Sequence, residues 1–222
     1  MNNFNFDFAV VIDAIPSLMV GAKLTVFITV FGLSIGFFLG AAAGLGKLSR
    51  NKIANTIAGA YVESVRGTPL MVQVMFLYFG MPLMLGMRVP PLAAGISAIA
   101  VNSGAYIAEI VRGAVQSVSR GQTEAGRSIG MTRFQTMIHV IWPQAFTRMI
   151  PPLGNQFIIS LKDTSLLVVI GVGELTRQGQ ELIAVNFRAF EIWLAVAIVY
   201  LVMTSFISKT LSLIEKKLEV NS

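Results

Sequence analysis

The sequence predicts an all-α membrane protein with about five transmembrane helices, and three observations lead there. Apolar residues make up 55% of the chain and charged residues only 13%, with a mean hydropathy of +0.72, outside the range of soluble globular domains. Uncharged runs recur at lengths that span a bilayer as helices, which rise about 1.5 Å per residue across roughly 30 Å of hydrocarbon. Lys and Arg gather in the short segments between those runs, where charge bias sets orientation.

The first span is expected near 18–46. After it, 53–61 reads as a shorter helix, and Arg66-Gly67-Thr68-Pro69 marks a kink or restart before the second span near 67–87. The third is expected near 89–111. The fourth, near 149–173, is expected to be broken, because two apolar halves flank Lys162-Asp163 and neither crosses alone. The fifth, near 190–210, reaches full length if the stem of Lys209 snorkels. Residues 1–222 read as a single transmembrane domain, too short to carry a sizeable soluble domain as well.

Before Lys23 the chain has Asp7 and Asp13 and no basic residue, whereas Lys47, Arg50 and Lys52 follow the first span. The N-terminus is therefore expected outside, and a cleaved signal peptide, which begins with positive charge, is not expected. Alternate crossings then put Lys47, Arg50, Lys52, Arg112, Arg120, Arg127, Arg133, Arg148, Lys209, Lys216 and Lys217 on the cytoplasmic side. Arg88, Arg177 and Arg188 fall outside, while Lys23, Arg66 and Lys162 lie within or at the edge of spans and are not counted. The C-terminus is cytoplasmic in this reading, with 214–218 along the inner surface. The pI of about 9.9 reflects this bias at the lipid boundary rather than nucleic-acid binding. With no cysteine and His139 as the single histidine, neither a disulfide nor a thiolate or histidine metal cluster can be assembled. No catalytic residue is assigned, and the methionines read as gap fillers at helix contacts.

The longest polar interlude runs over 119–143 and reads as two short cytoplasmic helices with a turn between them. Ser119 with Gln122 and Thr132 with Gln135 have the spacing of capping boxes. Gly130, before the second cap, suits the left-handed residue that ends a helix. Gly126 and Gly130 lie four apart, where one helical face would admit another surface. Pro143 is expected to end the second helix or bend it towards the membrane.

Glu124-Ala125-Gly126, three residues, Gly130 and later Pro143 resemble the EAA loop of ABC import permeases. Gly126, Val140 and Trp142 depart from the usual alanine, isoleucine and leucine, but each stays small or apolar. Nearly the whole chain resembles the polar amino-acid uptake family of such permeases. Arg66-Gly67-Thr68-Pro69-Leu70 with Gln73, Asn102-Ser103-Gly104-Ala105-Tyr106 with Glu109 and Arg112, Pro151-Pro152-Leu153-Gly154-Asn155, Lys162-Asp163-Thr164-Ser165-Leu166 and Glu174-Leu175-Thr176 carry that likeness. Thr176–Glu181 and Phe187–Trp193 bring it nearest to glutamine permeases.

The resemblance implies the type I ABC importer permease fold in a bacterial inner membrane. It also implies a second permease subunit, the same chain or a relative, two copies of an ABC ATPase and an extracytoplasmic amino-acid-binding protein. ATP and Mg would be bound by the ATPase, with no cofactor in this chain, whose sequence has no phosphate-binding loop. Glu124, Ala125, Gly126, Gly130 and Pro143 would belong to a coupling helix docked on the ATPase, which would turn its closure into alternating access.

Polar residues within spans cost free energy unless paired or facing water, and so mark pathway candidates. Gln156, Ser160 and Asp163 recur at spacings of four and three, on one helical face. Asp163 suits the substrate ammonium and Gln156 a polar side chain; Thr68, Gln73, Asn102 and Asn155 are further candidates. The alternatives are that Lys162 and Asp163 neutralise each other and that Gln156 joins helices. Glu63 and Arg66 are expected to pair, and Tyr106 and Glu109 to pack near a subunit interface or gate. A competing reading is an ion-coupled secondary transporter or channel working through a break at Lys162-Asp163. It predicts internal inverted repeats, and the sequence has none.

Overall fold

A computed structural model describes residues 5–219, and among these every regular element is helical. In chain order they are α1 (Phe8–Leu48), α2 (Lys52–Arg66), α3 (Leu70–Met75), α4 (Met81–Leu85), α5 (Pro91–Ser117), α6 (Arg120–Ser128), α7 (Arg133–Thr136), α8 (Trp142–Asp163), α9 (Leu175–Asn186) and α10 (Ala189–Glu219). Among the described residues four stretches are long and apolar enough to cross a membrane: Phe8–Leu48, Pro91–Ser117, Arg133–Ile170 and Ala189–Lys217. The bent pair Lys52–Arg66 and Leu70–Leu85 makes a fifth if counted as one.

Two π-helical turns, Phe76–Gly80 and Met137–Ile141, interrupt the α-helical winding, and each ends two residues before a proline, Pro82 and Pro143. A proline has no N–H and its ring clashes with the carbonyl four residues back. Widening the preceding turn removes that clash: the N–H of Met81 bonds to Phe76 O and that of Trp142 to Met137 O, five residues back. Pro143 therefore does not end the helix; helical winding runs on from Arg133 to Asp163.

Lys162-Asp163 does not break the fourth stretch either. Backbone bonding is indifferent to neighbouring side-chain charges, and α8 continues through both residues. Winding tightens only afterwards, into the 3-10 helix Thr164–Ile170, as the Thr164 hydroxyl donates to Leu161 O at 2.8 Å. Gly171, at φ +78°, stops it, a conformation open to glycine at no steric cost.

Packing divides the chain into two compact units. The first comprises residues up to Gly32, Pro69–Ile99 and Ile158–Ile207. Its core joins Ile28, Val74, Ala98 and Ile99 to Leu167 and Ile170, and a second cluster joins Ala14 and Leu18 to Leu175, Ile192 and Val196. The buried Glu174 caps α9, accepting from the N–H groups of Thr176 and Arg177 at 2.9 and 2.8 Å and from the Tyr200 hydroxyl at 3.1 Å. Burial pushes the Glu174 carboxyl above its ordinary range, against the pull of these donors.

The second unit comprises Leu33–Thr68, Ala100–Phe157 and the residues from Ser208 on. Its core is Ile107, Val111 and Val115 of α5 against Ile141, Ala145 and Met149. Here α1 meets α5 through glycines one turn apart. A Cβ on Gly40 would stand 2.6 Å from Gly104 O, and one on Gly44 2.8 Å from Ala108 O, the close backbone approach of small-xxx-small packing.

Candidate functional site

The polar interlude belongs entirely to the second unit, and local bonding specifies its shape. Helix α6 ends in a Schellman motif: Met131 N–H donates to Gly126 O at 3.1 Å and Gly130 N–H to Arg127 O at 3.1 Å, with Gly130 at φ +86°. That satisfies carbonyls the helix end would orphan. Helix α7 opens on a complete capping box, with Gln135 N–H donating to the Thr132 hydroxyl at 3.2 Å and Thr132 N–H to Gln135 Oε1 at 2.8 Å. The matching box expected at Ser119 is not formed, since Ser119 makes no side-chain cap bond to α6. Gln122 is instead turned to Gln144, whose Nε2 donates to it at 3.3 Å. Arg148 pins the entrance, its guanidinium donating to the carbonyl of Ser117 and, at 3.0 Å, to its hydroxyl.

This framework decides which coupling candidates face outward. Glu124 and Ala125 are exposed on α6, while Gly126 is buried. The surface that Gly126 admits is Thr136 of the same loop. Gly130 lies beyond the end of α6, so the two glycines do not share a helical face as expected. Pro143 is exposed in the first turn of α8. Beside these the loop presents Ile129 and Phe134, 80% and 73% exposed. Sequence reasoning passed over both, although two large apolar side chains in an otherwise polar stretch were the available signal. The loop, closed by the Schellman turn of α6 and the capping box of α7, thus turns an acid, bases and two bare apolar side chains outward.

A second constellation in the same unit centres on Glu109. Its carboxylate takes Lys47 Nζ at 2.7 Å on one oxygen and Arg112 Nη2 and Nε at 2.7 and 3.0 Å on the other. Arg66 stands 3.9 Å from the same carboxylate, its guanidinium 5.2 Å from the centre of the Tyr106 ring. The expected Glu63–Arg66 pair is not formed: among the described residues Arg66 turns to Glu109, because the stacked Tyr106 ring and a half-buried carboxylate outweigh an exposed pair.

The candidate substrate residues fall in both units. Gln156 and Ser160 are buried, 4% and 2% exposed, and Asp163 is half-buried; all three lie on the unbroken α8 at the expected spacing. Asn102 is buried in α5, Asn155 and Thr68 are exposed, and Gln73 is half-buried in α3. The Thr68 hydroxyl donates back to Ser64 O at 3.0 Å, finishing α2. Thr68, Asn102, Asn155 and Gln156 belong to the second unit, and Gln73, Ser160 and Asp163 to the first. Among the described residues no group of acidic and histidine side chains could hold a metal ion.

Residues 32–220 match the family of binding-protein-dependent transport system inner membrane components. The chain is 51% identical over 216 residues to the glutamine transport system permease protein GlnP of Escherichia coli strain K12, covering 97% of this chain and 99% of that one. It is 34% identical over 222 residues to the L-cystine transport system permease protein TcyL of Bacillus subtilis strain 168, covering 97% and 93%. Among solved structures it is similar to an amino acid ABC transporter crystallised with histidines, with a TM-score of 0.92 at 41% identity over 96% of this chain and all of that one.

Proposed function

We propose, for a chain that belongs to the family of binding-protein-dependent transport system inner membrane components, the import of glutamine. The chain is a multi-pass inner-membrane permease subunit of an amino-acid ABC importer, a transport subunit that works with a separate ATPase and a binding protein. Glutamine is the substrate best supported, by 51% identity over almost the full length of a glutamine permease. A relative at lower identity that is named for L-cystine leaves other polar amino acids as the competing reading.

In the full importer two permease subunits form the pathway, and two ATPase subunits bind ATP and Mg below them. The observation that supports the coupling role is the loop Ser119–Pro143, held by the Schellman turn of α6 and the capping box of α7 and bare at Glu124, Ile129 and Phe134. Closure of the ATPases would push this lever and re-orient the spans. The N-terminus lies outside and the C-terminus in the cytoplasm. Supporting this, every basic residue assigned to the inner side belongs to the second unit, and Arg88, Arg177 and Arg188 belong to the first. Asp163, Gln156, Ser160, Thr68, Gln73, Asn102 and Asn155 remain the proposed substrate contacts.

The test is uptake of labelled amino acids into vesicles holding the purified complex, with binding protein outside and ATP within. Glutamine should accumulate only with ATPase and ATP present. Accumulation by the permease alone would overturn the coupling role, and preference for another amino acid would overturn the substrate.

A further inference from the structure

We propose that Arg66, braced by Tyr106 and Glu109, is a binding station for the carboxylate of the transported amino acid; this rests on the importer reading above. Three cations converge on one acid in the second unit. Lys47 and Arg112 hold Glu109 at hydrogen-bonding distance, both at 2.7 Å, and already neutralise it. Arg66, at 3.9 Å, keeps an ion pair with Glu109 but is beyond hydrogen-bonding reach, and three cations around one carboxylate leave the cluster with surplus positive charge. The Arg66 side chain is 43% exposed, and the Tyr106 face holds the guanidinium in place without using its N–H donors.

A planar fork of donors, fixed by a ring and left open to one side, fits an oxyanion bidentately. Asn102, Tyr106 and Glu109 follow one another on α5 at spacings of four and three, on one face. Thr68, another candidate contact, lies two residues beyond Arg66. A polar amino acid that reaches the exposed Tyr106 and Arg66 meets the guanidinium with its carboxylate.

The surplus positive charge also sets a preference. Neutral and acidic amino acids are favoured here over cationic ones, whose side chains the cluster repels.

The complex of this chain with its ATPase, in lipid nanodiscs, provides the test. Equilibrium binding of labelled glutamine is compared with that of its α-amide, which lacks the carboxylate, for the wild type, Arg66→Lys and Arg66→Gln. Wild type should prefer glutamine by at least about tenfold, Arg66→Lys should keep part of that preference because the charge remains, and Arg66→Gln should bind both alike. Equal preference in all three proteins overturns the proposal. So does an effect of Arg66→Gln that appears only with anionic lipid in the nanodisc, which would assign the site to a headgroup phosphate. Loss of assembly in Arg66→Gln leaves the Lys variant and the wild-type preference to decide. A wild type that transports some other amino acid would overturn the glutamine reading, and that amino acid and its amide then serve as the probe pair.

Discussion

Gly126 is packed against Thr136: a Cβ built on it would stand 2.8 Å from Thr136 Cγ2 and 3.1 Å from Oγ1. Gly126, which stands where the loop motif usually has its second alanine, therefore holds the two short helices of the loop together, and the outward surface is formed by its neighbours.

Gly126→Val should force Thr136 away and strain the loop by about 1–3 kcal/mol. Uptake should fall at least about tenfold while the chain still inserts and co-purifies with its ATPase. The assay is ATP-driven uptake beside quantified membrane insertion, and full uptake would show the contact to be dispensable.

Glu124→Lys reverses an exposed charge without touching the framework. The loop should stay folded and the grip of the ATPase weaken, by about 1.4 kcal/mol for each tenfold loss of affinity. Retention of ATPase on the immobilised permease measures it. Undiminished retention, with normal uptake, would remove Glu124 from the contact.

Thr132→Ala removes one arm of the capping box at a cost of about 1 kcal/mol to the start of α7. Amide exchange of Thr136 and its neighbours should speed up, and uptake should fall by less than in Gly126→Val. Since Ser119 forms no such bond, Ser119→Ala should leave the exchange of α6 unchanged.

Gly40→Leu puts a side chain where the carbonyl oxygen of Gly104 lies within 2.6 Å. The close α1–α5 contact in the second unit must open, at a cost of about 1–3 kcal/mol or more. The thermal transition in detergent should drop, whereas Gly113→Leu, with open space around its Cβ position, should leave it in place.

Glu174 carries a pH prediction. Burial raises its carboxyl above the ordinary value of 4.5, so the folded chain holds the proton to higher pH than the unfolded chain does. Stability from this group is then fully present below 4.5 and lost as pH rises through the raised value. Glu174→Gln removes that slope. The difference in melting temperature between wild type and variant should favour the wild type at acid pH and shrink as pH rises through this window. A difference independent of pH would place the titration elsewhere.

The sequence by itself determined that the chain is helical and lies in lipid, because hydropathy over about 20 residues and the side on which Lys and Arg gather are local properties. Local too are the left-handed Gly130 and the Thr132–Gln135 box, whose partners sit within four residues, and both were legible. The four-residue spacing of Gly40 and Gly44 drew no reading from the sequence, and what it meets on α5 only packing decides. Tertiary structure alone decided that Pro143 is carried through a π turn, that Lys162-Asp163 leaves α8 unbroken, that Gly126 faces Thr136, and that Arg66 belongs to Glu109, 43 positions away in sequence, rather than to Glu63. Each of those outcomes depends on which surfaces meet, and the energies that choose among them, van der Waals fit and the pairing of charges away from water, exist only once distant segments are in contact.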